Sequence, residues 1–182
     1  MKKLKYVTLM RHSLKGTDGA LTEEGKLLAR KFGNNLKKRY PSVDLLISSP
    51  EERARQTGDI VTCHSCPAMI ADEVGIPRKY SKEIIKYFSL LGNVPLVKYF
   101  TVDNAKQILS DYGKNGWSLP RSALTERSHV LVVGHEVLIP AIGAAATKNG
   151  LLAMNTALEQ CEGLILTIDG NKVVSTKLLK NL

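Results

Sequence analysis

Short apolar segments that end directly in polar or cationic residues restrict the fold of this sequence more than any other feature. Residues 4–10 (LKYVTLM), 43–47 (VDLLI) and 129–133 (HVLVV) are rich in aliphatic and β-branched side chains and predict buried strands. A weaker strand is predicted over residues 67–74. Stretches with helical spacing of apolar residues separate these strands. Alternation of this kind predicts an α/β protein, a three-layer α/β/α sandwich on a mostly parallel sheet.

Helix start signals support the same order of elements. Thr22 is the predicted N-cap of a helix that runs to about Leu36, and Glu23 and Glu24 suit its positive end. Further helices are predicted near residues 79–90, 103–112 and 139–148, and a terminal hairpin over residues 163–168 and 172–178 around a turn at 169–171.

A second helix start is predicted at the segment Ser49-Pro50-Glu51-Glu52. Serine followed three residues later by glutamate forms a capping box, and proline is favoured at the first helical position. The sequence therefore predicts a helix from Pro50 to about Thr62, capped by Ser49.

Length and composition predict a single domain over residues 1–182, because no repeat, low-complexity segment or linker divides the chain. No run of 18 apolar residues is present, so a membrane-spanning helix is excluded. Lys2, Lys3 and Lys5 resemble the start of a secretory signal, but the apolar run after them is short and ends at Arg11. A cytoplasmic location is therefore expected.

The net charge of +9 raises the question of nucleic-acid binding. The basic residues are scattered along the chain, however, and aromatic residues make up only 5% and do not alternate with them. This pattern favours a solvated cationic surface that attracts a phosphorylated substrate.

Cys63 and Cys66 form a CxxC pair around His64, while Cys161 stands alone. A structural zinc site needs four ligands, and no second pair completes one. A redox CxxC normally opens a helix, whereas this pair closes a predicted helix. We therefore expect ordinary reduced thiols, with no metal and no cofactor.

The polar residues at the strand ends are the candidate functional residues. Arg11-His12, Ser49 with Arg53, and Gly134-His135 follow three predicted strands. Parallel sheets bind ligands beyond the carboxyl ends of their strands, so these residues are expected to meet. A neutral imidazole can accept a phosphoryl group, and arginine binds phosphate oxygens through two parallel hydrogen bonds. This combination predicts phosphoryl-transfer chemistry.

Four motifs together resemble the histidine phosphatase superfamily, also called phosphoglycerate mutase-like, and its larger branch in particular. They are LMRHS at 9–13, LTEEG at 21–25, SSPEERARQT at 48–57 and VVGHE at 132–136. The resemblance implies that His12 is the phosphorylated nucleophile, that Arg11 and Arg53 bind the phosphoryl oxygens, and that His135 completes the pocket. It also implies a metal-independent phosphatase acting on a phosphorylated small molecule or phosphoprotein.

The chain departs from the family pattern at three points. Ser13 replaces the usual glycine, and its hydroxyl is a further possible donor to phosphate. The usual general acid has no clear counterpart: Glu73 is out of pattern, and Glu136 either serves as the acid or caps the next helix. The chain also lacks the long insertion with which mutases enclose phosphoglycerate. Because imidazole leaves more easily than an alkoxide, a doubtful acid makes the chain more similar to phosphohistidine phosphatases.

Several functions remain open at this stage. The leading hypothesis is hydrolysis of a phosphomonoester or phosphoamidate through a phosphohistidine on His12. The alternatives are a phosphoglycerate mutase-type phosphotransferase, a non-catalytic phosphate-binding module and a nucleic-acid-binding protein. The sequence predicts neither the oligomeric state nor the role of residues 79–127.

Overall fold

A six-stranded sheet forms the centre of the protein in the computed structural model, which describes residues 4–148 and 150–180; Lys2 and Lys3 lie outside these ranges. The strand order is β3-β2-β4-β1-β5-β6. The pairings among β3, β2, β4 and β1 are parallel, and those of β5 with β1 and β6 are antiparallel. The strands are β1 Lys5–Arg11, β2 Leu45–Ser48, β3 Ala68–Ile70, β4 His129–Gly134, β5 Gly163–Asp169 and β6 Lys172–Leu179.

Helices cover both faces of this sheet, as predicted. They are α1 Glu23–Arg39, α2 Glu52–Thr62, α3 Ser81–Leu91, α4 Leu96–Tyr99, α5 Ala105–Ala123, α6 Leu138–Ala146 and α7 Leu151–Met154. Thr22 caps α1 as expected, because its hydroxyl accepts the Gly25 backbone N–H. Across the described ranges, no helix combines the length and apolar character needed to cross a membrane.

Two hydrophobic cores, one on each face, hold the three layers together. On one face Phe32 and Val61, from α1 and α2, pack with Leu131 of β4. On the other, Leu109 and Ile139, from α5 and α6, pack with sheet residues of the opposite alternation. Each fully buried aliphatic side chain contributes about 1.5–3 kcal/mol relative to exposure. The α/β/α sandwich on a mostly parallel sheet is confirmed.

The predicted start of α2 is wrong. The helix begins at Glu52, with Glu51 rather than Ser49 at the N-cap position. The Ser49 hydroxyl oxygen accepts the Glu51 backbone N–H at 3.4 Å, ahead of the first helical residue, while the hydroxyl donates to the Glu51 carboxylate and contacts the His135 ring. A residue expected to stabilise a helix end is therefore part of the site described below.

Two other boundaries differ from prediction. The strand predicted over 67–74 ends at Ile70, and Asp72–Val74 forms a 3₁₀ turn. The helix predicted over 103–112 continues to Ala123, through a stretch rich in glycine, asparagine and serine and with Pro120 inside it. Gly113 explains this extension, since a Cβ there would lie 2.3 Å from the Ala141 carbonyl oxygen of α6. Close packing between α5 and α6 thus outweighs weak helix propensity.

The cysteines lie at the end of α2 and in the loop before β5. All three are free, and Cys63, in a left-handed conformation, follows the last residue of the helix.

Candidate active site

The ends of β1, β2 and β4 lie side by side and bring the predicted histidines together. Arg11 pairs with Gly134 across the sheet, and the His12 backbone N–H donates to the Gly134 carbonyl oxygen at 2.9 Å. The Ser49 backbone N–H donates to the Val133 carbonyl oxygen at 3.0 Å. The ring centroids of His12 and His135 are 5.1 Å apart. Three distant chain segments therefore converge at one edge of the sheet.

His12 is held as a neutral imidazole with a defined tautomer. Its Nδ1–H donates to the Ser13 carbonyl oxygen at 2.7 Å, which leaves Nε2 without a proton. Burial, and then the neighbouring His135, lower the pKa of His12 to about 3. At neutral pH the Nε2 lone pair is thus available as a nucleophile.

Arg53 joins the two histidine rings from the first turn of α2. Its Nε–H donates to His12 Nε2 at 3.1 Å, and Nη2 lies 3.2 Å from His135 Nδ1. The guanidinium is half-buried. Arg55, two residues further on, is exposed and does not line this cavity. An anion placed here would meet the Arg53 guanidinium and the N-terminal amides of α2 together.

Arg11 forms the opposite side of the site and is almost fully buried. Its Nη1 donates to the Leu158 carbonyl oxygen and its Nη2 to Glu136 Oε1, both at 2.7 Å. Its Nε finds no hydrogen-bond partner among the described residues. Burial lowers the pKa of Arg11, while Glu136 opposes this effect. The side chain is consequently a cation anchored by its terminal nitrogens.

His135 is fixed by two residues that precede α2. Its Nε2 lies 2.9 Å from Glu51 Oε2 and 2.8 Å from the Ser49 hydroxyl oxygen. Burial of Glu51 acts to raise its pKa, but hydrogen bonds from His135 and Ser49 outweigh this and lower the pKa to about 2. Burial also lowers the pKa of His135 itself, against the opposing effect of Glu51. A neutral ring therefore faces an ionised carboxylate.

Other motif residues hold the loop that follows His12. The Thr57 hydroxyl accepts the Ser13 backbone N–H at 3.0 Å, and Gln56 Oε1 accepts the Leu21 N–H at 2.7 Å. The Ser13 hydroxyl donates to the Gly25 carbonyl oxygen at 2.7 Å. This hydroxyl anchors the loop to α1, so its expected donation to phosphate is not supported.

The site opens into a cavity of about 400 Å³. Glu136 lines this cavity, whereas Glu73 is exposed and lines a different one. Of the two acids considered from the sequence, only Glu136 is thus within the site. The complete lining is Arg11, His12, Ser13, Leu14, Lys15, Arg53, Ile76, Phe88, His135, Glu136 and Gln160.

Sequence reasoning assigned Ser49 to helix capping, gave Glu51 no role of its own, and missed the contacts of both residues with His135. The available signal was a carboxylate two residues before Arg53, the arginine that the motif resemblance had assigned to phosphate binding. Lys15 and Gln160 carried no signal, because each lies in a segment without recognisable pattern.

Within residues 4–148 and 150–180, no group of three or more His, Cys, Asp or Glu side chains is arranged to hold a metal ion.

Residues 8–73 match the histidine phosphatase superfamily (branch 1). This match confirms the resemblance seen in the motifs. No curated protein was significantly similar in sequence.

Solved structures of similar fold extend over nearly the whole chain. The alpha-ribazole phosphatase from Shigella flexneri is 18% identical, with a TM-score of 0.67 and coverage of 97% of this chain and 96% of that one. The protein histidine phosphatase SixA in complex with tungstate is 20% identical, with a TM-score of 0.60 and coverage of 95% and 93%. Bacillus stearothermophilus YhfR is 17% identical, with a TM-score of 0.61 and coverage of 94% of each chain. At these identities the comparison establishes a shared fold.

Proposed function

We propose that this protein is a phosphatase that works through a covalent phosphohistidine on His12. One observation carries the proposal. The unprotonated Nε2 of His12 faces the cavity and accepts a hydrogen bond from Arg53, which also donates to the ring of His135. A nucleophile and groups that stabilise an anion are thereby adjacent.

The reaction proceeds in two displacements at phosphorus. A bound phosphoryl group takes the place of His12 Nε2 as the partner of the Arg53 guanidinium. Nε2 then forms a bond to phosphorus while the bond to the leaving oxygen or nitrogen breaks, and the electron pair leaves with that atom. Water attacks the phosphohistidine in the second step, which releases inorganic phosphate and restores the neutral ring.

Cationic and hydrogen-bonding groups surround the position of the transferred group. Arg11 and Arg53 are permanent charges, and His135 adds a ring nitrogen on the same side. Because charge spreads over three phosphoryl oxygens during transfer, fixed donors of this kind are the main source of catalysis. The similar SixA structure holds tungstate, another tetrahedral oxyanion, which supports an oxyanion site in this fold.

The ion pair between Glu136 and Arg11 favours substrates whose leaving group needs no proton from the enzyme. Glu136 Oε1 accepts a hydrogen bond from Arg11 Nη2 at 2.7 Å, in an ion pair. A carboxylate held in an ion pair with arginine has no proton to give to a leaving alkoxide. Phosphoamidates such as phosphohistidine, free or on a protein, need less protonation and are therefore the preferred class. The similar fold of a protein histidine phosphatase is consistent with this choice.

The proposal is tested with a substrate panel and a matched pair of histidine variants. The panel contains phosphohistidine, phosphoramidate, p-nitrophenyl phosphate and an alkyl phosphate, assayed with a chelator present. We expect phosphate release from the first three, much slower release from the alkyl ester, and no turnover after His12→Ala. His64→Ala is the control, because the His64 side chain is 75% exposed and lies outside the cavity.

Trapping the intermediate completes the test. Rapid quenching should yield an acid-labile, alkali-stable phosphoenzyme in the parent protein and none in the His12 variant. Unchanged hydrolysis by His12→Ala would defeat the mechanism. Isomerisation of a phosphorylated sugar acid without phosphate release would favour the mutase-type alternative, and oxyanion binding without turnover of any substrate would favour a binding module.

A further inference from the structure

The hydrogen bonds around His135 define which of its nitrogens carries the proton. Ser49 has a single hydroxyl hydrogen, and it donates this to Glu51. Glu51, as a carboxylate, can only accept. The contacts of His135 Nε2 with Glu51 and with the Ser49 oxygen therefore both require an Nε2–H. It follows that Nδ1 is the unprotonated nitrogen, and it accepts from Arg53 Nη2.

This arrangement has to change when an oxyanion binds. In this structure, Arg53 Nη2 satisfies the lone pair on His135 Nδ1. A phosphoryl oxygen that draws Arg53 away leaves that lone pair facing another acceptor, which is repulsive. A proton on Nδ1 converts the repulsion into a charge-assisted hydrogen bond. The resulting imidazolium is balanced on its other side by the Glu51 carboxylate.

We propose that Glu51 is a positioning residue that makes His135 take up a proton together with the oxyanion, so that His135 donates to the phosphoryl group from Nδ1. The inference rests on the proposed function, because it assigns the oxyanion to this cavity. Glu51 itself touches neither the oxyanion nor His12. It acts by holding Nε2–H and by supplying the negative charge that an imidazolium needs in a buried site.

The other charged groups around His135 oppose or balance this proton. Burial and then Arg53 on α2 disfavour a positive ring, whereas Glu51 and Glu136, the next residue along the chain, favour it. The His135 side chain is 3% exposed and that of Glu51 is 26% exposed, so solvent screens the pair only partly. From α5, burial and, after it, the Glu51 charge raise the pKa of the Tyr112 hydroxyl. Together these effects lower the pKa of His135, so the ring is neutral near pH 7 and a proton remains to be gained on binding.

Calorimetric titration with tungstate tests the proposal without any need for turnover. Tungstate stays a dianion near neutral pH, so any proton taken up comes to the protein. The binding enthalpy in two buffers of different ionisation enthalpy gives the number of protons absorbed. Four proteins are compared: the parent, Glu51→Gln, His135→Asn and the control Glu52→Gln. Glu52 is the neighbouring glutamate, is exposed, and accepts a hydrogen bond from the Gln56 side chain.

We expect the parent and Glu52→Gln to absorb most of one proton at neutral pH. Glu51→Gln and His135→Asn should absorb little, and Glu51→Gln should bind tungstate about tenfold more weakly, the difference between a charge-assisted and a neutral hydrogen bond. Because glutamine can still accept Nε2–H, a merely structural role for Glu51 would leave proton uptake unchanged. If the glutamine variant does not fold, Glu51→Ala is measured in its place.

Two results would overturn the inference. One is a parent protein that binds tungstate without absorbing a proton. The other is uptake that persists in the Glu51 or His135 variants. Either result leaves the proposed function standing, since that depends on His12 and on phosphoenzyme formation. Conversely, full turnover by a His12 variant would contradict the proposed function without affecting the measured proton uptake.

Discussion

Gly25→Ala should damage the site although residue 25 does not line the cavity. A Cβ on Gly25 would lie 2.2 Å from the Leu14 carbonyl oxygen, roughly 1 Å inside ordinary contact. Leu14 belongs to the loop that follows His12, and the Ser13 hydroxyl ties the same loop to the Gly25 carbonyl. Relief of the clash must therefore move the loop that holds the His12 tautomer.

The magnitude follows from two opposing effects. Alanine gains about 1 kcal/mol of helix propensity over glycine, whereas overpacking costs about 1–3 kcal/mol. The net loss of stability should be small, on the order of 1 kcal/mol. A displacement of about 1 Å at a reacting group costs about 100-fold in rate, so we expect activity to fall far more than stability.

Gly33→Ala is the matched control. Gly33 lies in the same helix, and a Cβ there would be 2.5 Å from the Val61 carbonyl oxygen of α2, away from the cavity. Thermal unfolding and p-nitrophenyl phosphate hydrolysis per folded molecule are measured for both variants. We expect similar losses of stability, with lost activity only in Gly25→Ala. Equal activities in the two variants would refute the reasoning.

Two further predictions concern charge. Arg53→Lys should reduce turnover about 10²–10³-fold, because an ammonium lacks the planar fork by which the guanidinium donates from two separate nitrogens. The same change at exposed Arg55 should have little effect in steady-state assays. The pKa of His12 falls from 6.5 to about 3 on folding, so the unfolded chain binds a proton first as the pH decreases. Stability should then decline between these two values by up to about 1.4 kcal/mol per pH unit. Thermal unfolding from neutral to acidic pH should show a shallower decline in His12→Gln, and an unaltered decline would count against the buried neutral ring.

The sequence was most informative where a strand ended. Arg11-His12 and Gly134-His135 could be placed together because neighbouring parallel strands end at one edge, so the topology alone determined their proximity. Their alternating apolar residues also identified both faces of the sheet. These inferences needed only periodicity and position.

Prediction was poorer where distant packing decided the outcome. Ser49 has a strong local preference for helix capping, but a histidine 86 residues away competes for its hydroxyl. The second half of α5 has weak helix propensity and depends on glycine contacts with α6. In both cases the deciding partner lies far along the chain, and a single sequence does not reveal that partner.

Because β5 runs antiparallel to β1, the segment that leads into β5 lies beside the active-site cavity. An antiparallel strand starts where its parallel neighbours stop, so the residues leading into β5 run past the pocket mouth, and the Leu158 carbonyl reaches Arg11 there. Gln160 contributes to the wall from the same stretch. Substitutions in the segment that leads into β5 can therefore change which ligands the cavity accepts. They leave unchanged the strands that precede His12 and His135.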